Sequence, residues 1–134
     1  MKKAIKHNCF YHASPETVWE FLTNPELLAS WLMENDIQPI TGHKFMFKTK
    51  PLPGFDGNVY CKVLDVVLYK KLSYSWRGGP GDGKFTLDSV VTWTLNGKED
   101  GTELFLEHAG FDSEGDQMGF EMMDAGWKKN LEGK

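Results

Sequence analysis

The spacing of apolar residues changes along the chain, and each change predicts an element. Ile5, His7, Cys9 and Tyr11 share one parity between mostly polar neighbours, which predicts a strand over 5–13 that is imperfect because Phe10 stands on its other face. Ser14-Pro15-Glu16 then reads as a helix start: a capping hydroxyl, a proline suited to the first helical position and a carboxylate at the positive end of the helix. Val18, Phe21 and Leu22 follow at helical spacing. Asn24-Pro25-Glu26 repeats the start signal ahead of Leu27, Leu28 and Trp31, so two short helices are expected in tandem.

From Gly42 the period becomes two. His43, Phe45 and Phe47 alternate with Lys44, Met46 and Lys48. Residues 51–57 break this strand as a proline- and glycine-rich loop. Val59 to Tyr69 is apolar on both parities around Lys62 and Asp65, which predicts a long, well-covered strand. Leu72, Tyr74 and Trp76 alternate with Ser73, Ser75 and Arg77. After a glycine-rich turn, Phe85, Leu87, Val91, Trp93 and Leu95 share a parity. Asn96 to Gly101 supplies residues tolerant of positive φ for a hairpin, and Leu104, Leu106 and His108 alternate beyond it. The last segment returns to helical spacing from near Ser113, with Phe120, Met123, Trp127 and Leu131 on one face and Met118 and Met122 on a second apolar edge. The expectation is one α+β domain over 1–134: a curved antiparallel sheet of six strands wrapped around a C-terminal helix, with two short helices between strands 1 and 2.

Composition narrows the function classes. At 134 residues the chain suits a single core, and 40% hydrophobic and 25% charged residues argue against disorder. A net charge of −4 argues against a nucleic-acid backbone binder, which needs a basic face. No apolar run approaches the roughly 20 residues that span a bilayer, so no membrane insertion is expected. Two cysteines, Cys9 and Cys61, are too few for a disulfide scaffold; free thiols in a reducing, cytoplasmic setting are expected, with a Cys9–Cys61 pair left open.

Several strings, taken together and in order, resemble the START-like, helix-grip (SRPBCC) superfamily, and within it the activator of heat-shock protein 90 ATPase homologue-like family. They are Ala13 to Trp19, Leu22 to Leu28 with Trp31, Gly42 to Phe45, Leu72 to Trp76, Val91 to Leu95, Gly101 to Leu104, Glu107 to Phe111, and Gly126-Trp127. The resemblance implies a largely apolar cavity between sheet and terminal helix, where many relatives hold lipids, sterols, polyketides or aromatic compounds. It brings no catalytic triad and no cofactor motif. Similar proteins continue the last helix with more leucines, whereas this chain ends at Gly133-Lys134. That implies either a shorter helix over a more open cavity or a tail beyond Lys134.

Site chemistry is sparse. Arg77 to Lys84 is glycine-rich, but a strand follows it where a phosphate loop needs a helix, so it reads as a hairpin at the cavity rim. His7, Cys9, His43 and His108 share inner parities without metal-ligand spacing, so no metal is expected. Ser73, Ser75 and Ser89 lack a nucleophile elbow. His108, at the end of an apolar strand, is the one group placed to orient a ligand or to titrate near neutrality, against the plainer reading of a hydrogen-bonded core histidine. The aromatic and methionine residues carry the remaining signal. Trp31, Phe45, Phe47, Tyr74, Trp76, Trp93, Leu106, His108, Met118, Met122 and Trp127 are the expected ligand-binding set, with Arg77 as a further polar contact. The leading expectation is non-catalytic binding of a hydrophobic, lipid-like or aromatic, small molecule without a cofactor. A chaperone-binding interaction module and a cyclase- or hydrolase-type enzyme using His108 are the alternatives.

Overall fold

A computed structural model describes residues 2–32, 34–48, 57–78, 87–112 and 127. The first strand, β1 (Lys2–Tyr11), leads into α1 (Pro15–Thr23) and α2 (Pro25–Ala29). Both helices start as their sequences dictate. Ser14 Oγ accepts from the Thr17 amide at 3.2 Å, and Asn24 Oδ1 accepts from the amides of Glu26 and Leu27 at 3.0 and 3.3 Å. Asn24 also closes α1, its own N–H bonding to the Glu20 carbonyl at 2.9 Å. One residue therefore ends one helix and starts the next, which sets a tight elbow.

Six more strands follow: β2 (Glu34–Asn35), β3 (Lys44–Lys48), β4 (Asn58–Val67), β5 (Lys71–Gly78), β6 (Leu87–Lys98) and β7 (Gly101–Asp112). They form one antiparallel sheet in the order β1-β7-β6-β5-β4-β3-β2, curved into a half-barrel. The sheet thus has seven strands, not six. The extra one, β2, pairs only Glu34 with Lys48 and Asn35 with Phe47, and two residues are too few to leave an alternation in the sequence. The expected C-terminal helix lies outside the described residues except for Trp127, which is helical and buried. The loop over 51–56 and the glycine-rich turn over 79–86 also lie outside them.

The inner face follows parity closely. Phe45, Phe47, Val59, Cys61, Val63, Leu72, Tyr74, Trp76, Val91, Trp93, Leu95, Leu104 and Leu106 are all buried. Three expectations need correction. Strand β4 is fully buried on its inner face only as far as Val63; a bulge between Val63 and Asp65 shifts its register, Val66 is half-buried, and Leu64, Val67, Leu68 and Tyr69 are exposed. The β6–β7 hairpin is tighter than its composition suggests, with Lys98 paired to Gly101 and only Glu99 and Asp100 between the strands. Neither has positive φ; among described non-glycine residues only Tyr69, in the β4–β5 turn, does.

Two glycines are needed where they stand. Gly110, at φ 113°, is skipped in the β1–β7 register and makes the bulge there. A Cβ on Gly101 would run into the Tyr11 carbonyl and the Phe10 ring, so β7 can start against the end of β1 only without a side chain. Beside it, Thr102 Oγ1 donates to the Ala13 carbonyl at 2.8 Å. This fixes the β1–α1 connection, and with it α1, against the β6–β7 hairpin.

Candidate functional site

Two neighbouring regions of the inner face use similar residues differently. In the first, aromatic rings fill the space. Phe45 lies 5.4 Å from Phe47 and 5.1 Å from Tyr74, between ring centroids. Phe47 lies 5.2 Å from Trp76, and Trp127 packs at 5.4 Å from Trp76 and 5.5 Å from Trp93. Most of these pairs are edge-on or tilted, as ring quadrupoles favour. Their polar tips find one another: Trp93 Nε1 donates to Tyr74 Oη at 3.0 Å. Burial holds the Tyr74 phenol well above its usual pKa.

His108 belongs to this seam, entirely buried. Trp127 Nε1 lies 3.0 Å from His108 Nδ1, and an indole nitrogen can only donate. Nδ1 must therefore offer its lone pair, which puts the ring proton on Nε2. That nitrogen lies 2.7 Å from Ser89 Oγ, and Ser89 in turn donates to the Trp76 carbonyl at 2.9 Å. The relay runs one way: indole to imidazole, imidazole to hydroxyl, hydroxyl to backbone. A second proton on the imidazole would oppose the indole N–H, and burial pushes the pKa down to about 3. His108 therefore does not titrate near neutrality. The close Ser89–His108 contact also has the wrong polarity for nucleophilic catalysis, because the nitrogen facing the hydroxyl carries the proton.

In the second region, at the α1–α2 elbow, the space is open. A cavity of about 220 Å³ lies between the helices and the β1–β7 side of the sheet. Helix α1 contributes Thr17, Val18, Phe21 and Leu22; Trp31 follows α2; Tyr11, Ala13 and Leu104 complete the described wall. Thr17, exposed, marks the outer rim. The cavity exists because its walls are held apart. Trp31 Nε1 donates to the Phe21 carbonyl at 3.0 Å, bracing the elbow, and the Trp31 ring stands edge-on to Trp93 at 6.1 Å. The described lining bears no charge. Its polar groups are the Thr17 hydroxyl and the Tyr11 phenol, which bonds to the Cys9 side chain and whose pKa is raised by burial and then by Cys9.

Of the expected binding residues, Phe45, Phe47, Tyr74, Trp76, Trp93, Leu106, His108 and Trp127 come together in the filled seam, and Trp31 stands between seam and cavity. Met118 and Met122 lie outside the described residues. Arg77 is exposed. The sequence reading missed the remainder of the cavity wall, although Val18, Phe21 and Leu22 had the helical spacing, and Tyr11 and Leu104 the parity, to reveal it. It also missed Ser89 as the partner of His108. Since Val91 pairs with His108, a serine two residues earlier on the same face is its diagonal neighbour.

Among the described residues no three His, Cys, Asp or Glu side chains converge to hold a metal. His43 stacks on Phe45, and His12 packs on Phe10. Both cysteines are free thiols, with the Cys61 thiol pushed up by burial and then by the Asp36 carboxylate. No described helix is long and apolar enough to cross a membrane.

Similar solved structures include protein MLL2253 from Mesorhizobium loti, with 34% identity over 97% of this chain and 92% of that one and a TM-score of 0.86. Protein BH1534 from Bacillus halodurans is 31% identical over 96% of this chain and 91% of that one, with a TM-score of 0.77. CalU16 from Micromonospora echinospora is 28% identical over 98% and 73%, with a TM-score of 0.75. No curated protein matches the chain. The family described as Activator of Hsp90 ATPase homolog 1-like protein matches over residues 12–133. With that match spanning nearly its whole length, the chain belongs to the Activator of Hsp90 ATPase homolog 1-like family.

Proposed function

We propose that the protein binds a hydrophobic small molecule without transforming it, and that the ligand sits in the cavity at the α1–α2 elbow. The observation that carries this reading is a cavity of about 220 Å³, uncharged along its described wall, beside a core that is otherwise densely packed with aromatic rings. Interiors close such spaces unless their walls are held open. Here the walls are braced by Trp31 on the Phe21 carbonyl and by Thr102 on the Ala13 carbonyl. Ligand affinity would come from the apolar area removed from water.

Membership of a fold family that commonly takes hydrophobic ligands supports the same reading. Catalysis has less support. Among the described residues, the Ser89–His108 contact is committed to a structural relay, and the described cavity wall offers no group with a pKa brought near neutrality.

Native mass spectrometry of freshly purified protein, repeated after denaturation, tests the proposal. A retained mass that denaturation releases is expected. A bare mass, together with no uptake of added ethylbenzene, palmitate or cholesterol, would overturn it.

A further inference from the structure

The size and bracing of the cavity narrow what it can hold. Sites that enclose drug-sized molecules measure about 300–1,000 Å³, and an engineered apolar cavity of about 150 Å³ takes up benzene. At about 220 Å³ this cavity exceeds the second and falls short of the first. It has room for one ring and a few further heavy atoms. A sterol or a full-length acyl chain would have to push the walls outward, which these walls resist, or leave most of its apolar surface outside the mouth at Thr17, where it gains little from burial. The elbow is pinned by the bond from the Trp31 indole to the Phe21 carbonyl. The β1–α1 connection is pinned by Thr102 on the Ala13 carbonyl, and the Pro15 ring lies against Gly97 of β6.

The lining is also biased toward rings. Tyr11, Phe21 and Trp31 bring three aromatic side chains to one small space, where edge-to-face contacts reward another flat ring over a flexible chain. Ala13 is the smallest side chain in the described wall, so its size helps set the free volume.

On the reading that this cavity is the binding site, we infer that its ligand class is a single-ring aromatic compound with a short substituent, not a sterol, a long-chain lipid or a polycyclic polyketide, and that Ala13 is a specificity-determining position. The probes are ethylbenzene, palmitate and cholesterol, titrated separately into the full chain while the methyl resonances of Val18, Leu22 and Leu104 are followed. Ethylbenzene is expected to give saturable shifts at all three, with the other two probes at least about tenfold weaker. Ala13→Leu, which places three more heavy atoms in the void, should weaken ethylbenzene about tenfold or more. If that variant does not fold, Thr17→Phe, built from the exposed rim, obstructs the same space. Palmitate or cholesterol binding as tightly as ethylbenzene at these resonances would overturn the ligand class while leaving hydrophobic binding intact. Ethylbenzene binding undiminished by both substitutions would remove the site. No response to any probe would overturn this inference and the binding reading together.

Discussion

The aromatic seam and the α1–α2 elbow are built from the same kinds of residue, yet one is filled and the other hollow. In the seam, Phe45 and Phe47 of β3 reach Tyr74 and Trp76 of β5 across the smaller inward side chains Val59, Cys61 and Val63 of the intervening β4, so the rings fill the face between them. At the elbow, two short helices are joined through the Asn24 cap and held to the sheet by braces as well as by their buried residues Val18, Trp19, Leu22 and Leu28. Asn24 turns the chain, Trp31 hangs from the Phe21 carbonyl, and the space beneath remains open. Polar chemistry differs in the same way. The seam uses its indoles, phenol, imidazole and serine on one another, whereas the described wall of the elbow is uncharged.

Truncation should separate the two regions most sharply. Trp127→Ala removes a buried indole and leaves His108 Nδ1 without its indole partner, and Phe47→Ala empties a fully buried site; each should cost about 3–5 kcal/mol in urea unfolding. Phe21→Ala, beside existing space, should cost less than half as much. Equal costs would mean that the elbow is packed as tightly as the seam.

Gly101→Ala comes next. Its Cβ meets the Tyr11 backbone, which cannot rotate away as a side chain could, so about 1–3 kcal/mol should be lost. Because Tyr11 lines the cavity, the same change should weaken ethylbenzene binding. An unchanged affinity would uncouple the elbow from the β1–β7 junction.

His108 sharpens the comparison through pH. Its folded-state pKa, about 3, lies below the unfolded value near 6.5, so between these the unfolded chain binds more protons. Its contribution is fully present above about pH 6.5 and is lost as pH falls toward 3. The slope approaches about 1.4 kcal/mol per pH unit within that window. His108→Gln should lose this component, read as the difference between the two stability-versus-pH curves. Parallel curves would contradict the buried, neutral imidazole. The smallest effect expected is at Ser14→Ala, about 1 kcal/mol from one lost helix cap, seen as a lower urea midpoint.

Much of this contrast was legible in the sequence, but unevenly. Parity assigned the inner face of β3, β5, β6 and β7 because one side of each strand is buried, and Ser14-Pro15 and Asn24-Pro25 marked both helix starts. The two-residue β2 left no pattern to read. The cavity was not legible either. Val18, Phe21 and Leu22 look like any core-facing helical stripe, and only their placement opposite Tyr11 and Leu104 in the fold makes them line a cavity. The abundance of rings pointed to ligand contact, and composition alone did not show how far these rings pack on one another. His108 illustrates the same limit, since its neighbours Ser89 and Trp127 are 19 residues away in either direction.

The central claim is that the hollow region, and not the filled one, receives the ligand. Intermolecular nuclear Overhauser effects from ethylbenzene at saturation test it most directly. The account predicts contacts to the methyl groups of Val18, Leu22 and Leu104 and none to those of Val59, Leu72 and Leu106. Contacts to the second group without the first would place the ligand in the seam and contradict it.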